Sequence, residues 1–276
     1  MADGAVAPPV LDLGPEPEPL GAWLRALAAH HEVAMALAAK DFKVRYKRAS
    51  LGVVWAVALP LIQSLVMIVV FTRFAKVQTA DIDYLGYVLA GMVPWAYLSL
   101  TISSAATAIV DGAGLTDKVW FPRALLVLAP VLANLVGLGI SLAIVLPVEL
   151  LRGHSDPKLL MLIPASVLLV LLCTGIGLVT SALFVWFRDI RFIVQAVLLV
   201  AFYLTPVIYP ISILGHLQTL VRCNPFTGAV ELFHVALIAA PVDGVAVAIS
   251  VGATAVLLAL GAELHRRNDR LFVDLL

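Results

Sequence analysis

The sequence predicts an all-α integral membrane protein with six transmembrane helices per subunit, and three observations support this fold class. Hydrophobic residues make up 62% of the chain and charged residues 13%, whereas a soluble domain is nearer half apolar and a quarter charged. The apolar residues fall in long segments, several of which reach the roughly 20 residues that span a bilayer. The third observation is an abrupt junction at residues 40–60, where a basic run passes directly into hydrocarbon.

Two segments precede the junction. Residues 1–20 are rich in proline and acidic residues and lack the basic start and apolar centre of a signal peptide, which predicts a disordered cytoplasmic tail. Residues 21–48 predict an amphipathic helix that lies in the headgroup region of the membrane. The alternative is a helix of soluble type that packs on another protein. The apolar stripe, with a period of about 3.6 residues, consists of Leu24, Leu27, His31, Met35, Ala38 and Phe42.

The end of this helix is strongly basic. Its basic residues are Lys40, Lys43, Arg45, Lys47 and Arg48. Because Lys and Arg collect on the cytoplasmic flanks of transmembrane segments, this cluster predicts that the junction faces the cytoplasm. Every later segment takes its orientation from the junction, so an even number of crossings returns the C-terminus to the cytoplasm.

The transmembrane domain is predicted at residues 49–264 and is followed by a cytoplasmic tail at residues 265–276. The crossings are predicted at residues 52–72, 84–110, 123–150, 159–187, 192–208 and 245–262. Gly175 and Gly177 in the fourth crossing are placed for close helix packing.

Residues 210–241, between the fifth and sixth crossings, contain two apolar pieces that a polar R-C-N-P break separates. Each piece is shorter than the roughly 20 residues that a span needs, so the pattern predicts a re-entrant helical hairpin on the outer side. Counting the second piece as a seventh crossing would move Arg266, Arg267 and Arg270 outside. The positive-inside bias opposes that arrangement.

Several kinds of chemistry are absent from the sequence. It contains no G-x-x-x-x-G-K-[ST] phosphate loop, no H-E-x-x-H or G-x-S-x-G motif, and no Cys/His cluster with zinc spacing. Proton-driven carriers keep ionisable residues in mid-membrane, whereas here Gln63 and Asn134 are the main interior polar groups and Glu231 and His234 the exceptions. Transport coupled to protons or sodium is therefore disfavoured, and any driving energy must come from another chain.

Five motifs carry a resemblance to a known family. In order, they are K-D-F-K-V-R-Y-K-R-A-S-L-G-V-V-W-A-V-A-L-P-L at residues 40–61, D-K-V-W-F-P-R at 117–123, F-V-W-F-R-D-I-R at 184–191, Y-L-T-P-V-I-Y-P at 203–210 and C-N-P-F-T-G at 223–228. Together they resemble the permease subunits of ABC-2-type exporters of lipid-linked polysaccharides, the group that exports O-antigen, teichoic acid and galactan. The resemblance covers the chain from about residue 20 to the C-terminus.

The resemblance implies a homodimer in which each six-helix permease is joined to a separate ATP-binding subunit. That partner binds ATP and Mg, so this chain is expected to carry no cofactor or metal and to be a transporter subunit rather than an enzyme. The implied cargo is an undecaprenyl-pyrophosphate-type polysaccharide, and the implied location is the bacterial inner membrane, with both termini cytoplasmic. No nucleic-acid partner is expected.

The same correspondence assigns residues to roles. The residues that resemble the inner elements contacting the ATPase are Asp117, Lys118, Trp120, Phe121, Pro122, Arg123, Arg188, Asp189 and Arg191. The outer gate corresponds to the hairpin, with Asn224, Pro225, Phe226, Glu231 and His234. For Trp120 and Phe121, the alternative to coupling is a place in the interfacial aromatic belt.

Two further roles follow from the chemistry of the expected cargo. The five basic residues at the junction would attract an anionic lipid head group, although membrane orientation alone also explains them. Sugar rings stack on aromatic faces, so the candidates for the pore wall are Trp95, Tyr97, Phe202, Tyr203 and Tyr209. Packing between helices is the equally good alternative for these aromatic residues.

Two other functions compete with polysaccharide export. One is an ABC-2 exporter of drugs or small lipids, which differs only in its cargo. The other is an intramembrane enzyme that acts on lipids or peptides, which would require a cluster of polar catalytic residues facing one cavity. Dependence on a co-expressed ATPase separates both exporters from the enzyme.

Overall fold

The computed structural model describes residues 19–47, 50–74, 83–116, 121–153 and 157–269, and within these ranges the chain is helical, without strands. Some of the predictions therefore fall outside the described residues. They are the tail at residues 1–18, Arg48, Asp117, Lys118, Trp120 and the C-terminal residues 270–276.

The predicted amphipathic helix consists of two helices, α1 (Leu20–Ala29) and α2 (His31–Tyr46). The break lies at His30, whose Nδ1 donates to the carbonyl of Ala26 at 2.8 Å. The predicted helix is therefore not continuous over residues 21–48. Leu24 and Met35 of the predicted stripe are exposed and Ala38 is buried, and the contact of the stripe with the membrane stays a prediction.

Five helical segments of the described residues are long and apolar enough to cross a membrane. The helices that form them are α3 (Trp55–Val69), α4 (Tyr84–Asp111), α6 (Ala124–Leu151), α7 (Leu162–Trp186) and α11 (Gly244–Asn268). A short helix α5 (Ala113–Thr116) follows α4, and 3₁₀ turns at Gly52–Val54 and Pro157–Met161 extend the starts of α3 and α7. The five segments correspond to the predicted first, second, third, fourth and sixth crossings.

The region of the predicted fifth crossing and hairpin contains shorter helices. Helix α8 (Ile190–Leu204) has 15 residues, about 22 Å of rise at 1.5 Å per residue, which is less than the ~30 Å hydrocarbon layer. A 3₁₀ turn (Ile211–Leu217), α9 (Gln218–Arg222) and α10 (Pro225–Ile238) follow. The described residues thus give an all-helical protein with five candidate spans, and the sixth span and the re-entrant hairpin stay predictions.

Helix α4 lies at the centre of the bundle and packs against α3, α6, α7, α8 and α10. Helix α10 is enclosed between α4, α7 and α11, and its residues from Phe226 to Leu237 are all buried. Helix α2 packs on α6 through Ala34, Leu37 and Leu125. A central helix that is buried on most sides can hold polar groups away from lipid, which matters for the site.

Helices α7 and α11 run parallel to each other in close contact. Position 175 of α7 lies beside position 257 of α11, and Leu178 lies beside Gly261. One turn further, His265 Nε2 lies 3.0 Å from the carbonyl of Leu178.

A methyl group on Gly175 would lie 3.0 Å from the Leu257 Cβ, and one on Gly177 would lie 2.8 Å from the Ala105 Cβ. The predicted close packing at these two glycines is confirmed.

Candidate functional site: a polar groove among the membrane-spanning helices

A groove of about 550 Å³ lies between the end of α2 and helices α3, α4, α6 and α8. Its polar lining residues are Arg45, Gln63, Ser99, Ser103, Asn134, Ser141 and Gln195. Apolar and aromatic residues, among them Trp55, Leu59 and Leu100, complete the walls. Hydrocarbon cannot satisfy amides and hydroxyls, so a groove with this lining must face water, a polar ligand or another protein surface.

Arg45 extends from α2 to the inner end of this groove. Its Nη1 donates to Asn134 Oδ1 at 2.7 Å, and its Nη2 donates to Ser104 Oγ at 3.1 Å. Asn134 Nδ2 in turn donates to Thr101 Oγ1 at 3.1 Å. One guanidinium therefore joins α2 to α4 and α6 through a chain of polar side chains.

These contacts lie well inside the predicted membrane layer. Ser104 is seven residues before the end of α4 and Asn134 ten residues after the start of α6, which is about 10 Å and 15 Å along the axes. An arginine at the centre of a spanning helix costs about 2.5–3.5 kcal/mol on insertion scales. Arg45 is not part of a candidate spanning helix, and its hydrogen bonds to Asn134 and Ser104 offset part of the cost of placing its guanidinium at this depth.

A second cavity, of about 310 Å³, adjoins the groove on the other side of Arg45. Its polar lining residues are Lys40, Asp41, Arg45, Ser104, Thr107 and Asp111. Burial raises the pKa of Asp41, an effect that nearby Lys40 and Arg45 reduce and Asp111 increases. Arg45 thus lies between an inner pocket that contains carboxylates and a groove lined by neutral polar groups.

The remaining residues of the predicted basic cluster have a different position. Lys40, Lys43 and Lys47 are exposed on the outer face of α2. Only Arg45 among the described members of the cluster reaches the groove. The structure therefore divides the cluster into surface lysines and one inserted arginine.

The residues predicted to contact an ATPase fall into two groups. Phe121 and Pro122 are buried, and Phe121 packs against Ala34 and Leu37 of α2. Arg123 is 5% exposed and pairs with Asp269. By contrast, the residues of the turn between α7 and α8 are exposed: Arg188, Asp189 and Arg191. Their role in coupling stays a prediction.

The predicted pore aromatics do not share one cavity. Tyr97 lines the groove, and its hydroxyl donates to the carbonyl of Val131 at 3.0 Å. Trp95 is buried between the rings of Phe202 and Phe226, at centroid distances of 5.5 and 6.1 Å. The two other tyrosines lie apart from the groove: the Tyr209 hydroxyl donates to the carbonyl of Tyr203, whose own side chain is exposed.

The hairpin residues are held by specific contacts. Asn224 caps α10, since its Oδ1 accepts from the Phe226 amide at 3.0 Å, and its Nδ2 donates to Thr205 Oγ1 at 2.9 Å. Pro225 is the first residue of α10. His234 is fully buried, stacks on Tyr87 with ring centroids 3.9 Å apart, and contacts the Tyr87 carbonyl through Nε2 at 3.1 Å.

A third cavity, of about 640 Å³, lies between residues 210–240 and the start of α11. Glu231 lines it, together with Arg222 and Asp243, whose Nε and Oδ2 atoms are 2.6 Å apart. Burial alone would raise the pKa of Asp243, but hydrogen bonds from Arg222 and the Ala246 amide outweigh it and hold the pKa below its ordinary value. Of the predicted gate residues, Glu231 lines this cavity, whereas Asn224, Pro225, Phe226 and His234 lie elsewhere along α10, and none of the five lines the Arg45 groove.

Sequence reasoning missed two pairings: Arg45 with Asn134, and Arg222 with Asp243. The sequence did contain a signal for the pairing of Arg45 with Asn134. Asn134 is an isolated amide in an apolar segment, and the later half of α4 is rich in Ser and Thr, which marks a polar face that needs partners. Nothing in the local sequence pattern identifies Arg45 as the partner rather than a neighbouring lysine.

Apolar helices of membrane-spanning length around a polar groove define a multi-pass membrane protein of the transporter class. The sequence model of the ABC-2 type transporter family matches residues 32–238, so this chain belongs to that family. It is a membrane subunit of a transporter rather than an enzyme, as the sequence predicted.

Named relatives agree with this assignment. The O-antigen export system permease protein RfbA of Myxococcus xanthus is 30% identical over 190 residues, which cover 68% of this chain and 72% of the relative. A protein of the same name from Klebsiella pneumoniae is 29% identical over 62% of this chain and 66% of the relative. The polysialic acid transport protein KpsM of Escherichia coli is 22% identical over 85% of this chain and 92% of the relative.

Proposed function

We propose that this chain is the permease of an exporter that moves a lipid-linked polysaccharide across the bacterial inner membrane, with energy from a separate ATP-binding subunit. The observation that carries the proposal is the polar groove among the spanning helices. A hydrated glycan offers hydroxyl groups to side chains such as Gln63 and Gln195, which line the groove and need polar partners at this depth. The names of the relatives, O-antigen and polysialic acid export proteins, favour a polysaccharide over a drug.

The geometry of α7 and α11 supports a sixth crossing with both termini on one side. These helices run parallel, so the chain must return across the membrane between the end of α7 and the start of α11. The segment from α8 to Tyr209 is the part of the chain that makes this return. A re-entrant hairpin at residues 210–241 then leaves the chain on the outer side, where α11 begins.

The faces of α3 and α8 support a homodimer. Both helices border the groove, and both expose an amide to the surroundings, Gln63 on α3 and Gln195 on α8. An amide facing lipid is unfavourable. A second copy of the chain covers these faces and converts two open grooves into one closed conduit.

The expected ATP-binding subunit contacts the inner face. The exposed turn between α7 and α8 offers Arg188 and Arg191 as side chains for that contact. The exposed lysines of α2 (Lys40, Lys43 and Lys47) attract the anionic head of the cargo, each by about 1 kcal/mol near an anionic surface. Lipids cover the remaining apolar surface.

A deletion strain tests the proposal. In the source bacterium, loss of this gene should leave the lipid-linked glycan inside the cell, and the gene supplied with its ATP-binding partner should restore surface glycan. Gln63→Leu and Gln195→Leu should each reduce export, because they remove polar groups from the groove. Leu65→Val, an exposed apolar position on α3, is the matched control. Normal surface glycan in the deletion strain would overturn the proposal.

A further inference from the structure

Arg45 is the part of the wall that the groove and the inner pocket share. The groove lies on one side of its side chain and the pocket, which opens beside Asp111 at the inner end of α4, lies on the other. The two hydrogen bonds of the guanidinium, to Asn134 and Ser104, close the space between α2, α4 and α6 at this point. A displacement of this one side chain would join the two cavities.

The partners of Arg45 are both neutral. Among the described residues, no carboxylate lies within ion-pair distance of its guanidinium, although Asp41 is one helical turn away. Hydrogen bonds to an amide and a hydroxyl are weaker than the bidentate, charge-assisted bonds that a guanidinium forms with a phosphate. An anionic group that reaches the inner pocket can therefore take the guanidinium away from Asn134 and Ser104.

We propose that Arg45 is the inner gate of the groove and that it opens when a phosphate-bearing cargo binds its guanidinium. Cargo without an anionic group leaves the hydrogen bonds to Asn134 and Ser104 in place and the gate closed. This makes Arg45 a specificity-determining residue. Lys40, which also lines the pocket, helps to attract the anion, whereas the exposed Lys43 and Lys47 concentrate anions at the surface. The inference rests on the proposed function, since it selects among the cargoes of that exporter.

Thiol labelling of the groove tests the gate without any polysaccharide. Cys173 and Cys223, the two natural cysteines, are replaced by Ser, and Ser103→Cys places one thiol in the groove. Inside-out vesicles that contain the full complex are treated with a membrane-impermeant thiosulfonate reagent. Labelling should be slow in this background. It should be about tenfold faster with Arg45→Ala, because one hydrogen bond to a charged group holds the gate closed by roughly that factor.

Matched variants separate the gate from general loosening of the fold. Asn134→Ala and Ser104→Ala keep the arginine but remove its acceptors, so both should also increase labelling. Arg45→Lys should give an intermediate rate, because an ammonium lacks the fork that reaches both acceptors. Arg25→Ala, which removes an exposed arginine from α1, should leave the rate unchanged.

Inorganic pyrophosphate is the probe for the anion dependence. Millimolar pyrophosphate should increase labelling of Ser103→Cys several-fold when Arg45 is present and have no effect in Arg45→Ala. Equal labelling with and without Arg45, or an equal effect of pyrophosphate in both backgrounds, would overturn the gate. If the gate behaves as stated but the deletion strain still exports its glycan, the proposed cargo is wrong and the gate stands.

Discussion

Arg123 at the start of α6 forms an ion pair with Asp269, directly after the end of α11. The Arg123 Nη1 and Asp269 Oδ2 atoms are 3.3 Å apart, and the Arg123 amide also donates to Asp269 Oδ1 at 3.0 Å. The pair fixes the end of α11 to the start of α6, next to Phe121, which in turn packs on α2. The contacts of Arg123 and Phe121 thus hold the start of α6, the end of α11 and helix α2 together.

This pair should contribute strongly to stability. Asp269→Ala leaves the Arg123 guanidinium, which is 5% exposed, without its carboxylate. We expect the free energy of unfolding to fall by about 3 kcal/mol, the low end for a broken buried pair because Asp269 is partly exposed. Thermal unfolding in detergent measures this. Arg267→Ala breaks an exposed pair with Glu263 and should cost less than about 1 kcal/mol; an equal loss for both variants would contradict the role of Arg123.

The contact between α10 and α11 should not tolerate a side chain at position 228. A methyl group on Gly228 would lie 2.4 Å from the Ala246 carbonyl oxygen and 2.6 Å from the Val247 Cα. Gly228→Ala should therefore separate the helices and destabilise the protein by about 1–3 kcal/mol, the usual cost of overpacking. Gly252→Ala on α11, where nothing lies within 4 Å of the new methyl group, is the control. Equal thermal stability of the two variants would disprove the tight contact.

Asp243 should make stability depend on pH. Its pKa lies below the ordinary value because it bonds Arg222 and caps α11 through the Ala246 amide. A lowered folded-state pKa gives stability that is present above the unfolded-state pKa and lost as the pH falls through the folded-state value. Asparagine caps a helix as well as aspartate does, so Asp243→Asn removes mainly the charge that pairs with Arg222. It should cost up to about 1 kcal/mol at neutral pH, and the difference from the unchanged protein should disappear in acid. Melting temperatures across an acid pH series would show this, and a constant difference would contradict it.

The exposed turn between α7 and α8 should affect partner binding without affecting the fold. Arg188 lies over the ring of Phe184 at 5.5 Å, and Arg191, in the first turn of α8, lies over the ring of Phe192 at 5.1 Å. Replacing both arginines with Ala should lower stability by about 1 kcal/mol or less but reduce co-purification with the ATP-binding subunit several-fold. Arg73→Ala, which changes an arginine in the helical turn Val70–Phe74 directly after α3, is the control. Unchanged co-purification would remove the turn from the contact surface.

The sequence predicted the spanning helices well because hydropathy over about 20 residues is a local property. The close packing of α7 on α11 at Gly175 was also predictable, because small residues in apolar helices let neighbouring backbones approach closely. The break at His30 was not predicted, because the apolar stripe continues across it in the sequence. The short length of α8 could have been inferred from Pro206, which disfavours helix at Thr205.

The sequence predicted which polar residues belong to the site, but not which of them pair with each other. Arg45 stood out as one of five basic residues, and Asn134 as an isolated amide, but they are 89 positions apart and no local rule pairs them. The same limit applies to Arg123 and Asp269, 146 positions apart. Such pairs depend on which helices become neighbours, and a hydropathy pattern does not contain that information.

The two halves of residues 210–241 are packed to different extents. Helix α10, the second half, is surrounded by other helices, whereas the first half exposes Ile213, Leu217 and Leu220. Asn224 sits at the joint and is tied to Thr205. The segment from Ile211 to Arg222 therefore has fewer packing contacts to lose than α10 if this end of the bundle changes shape.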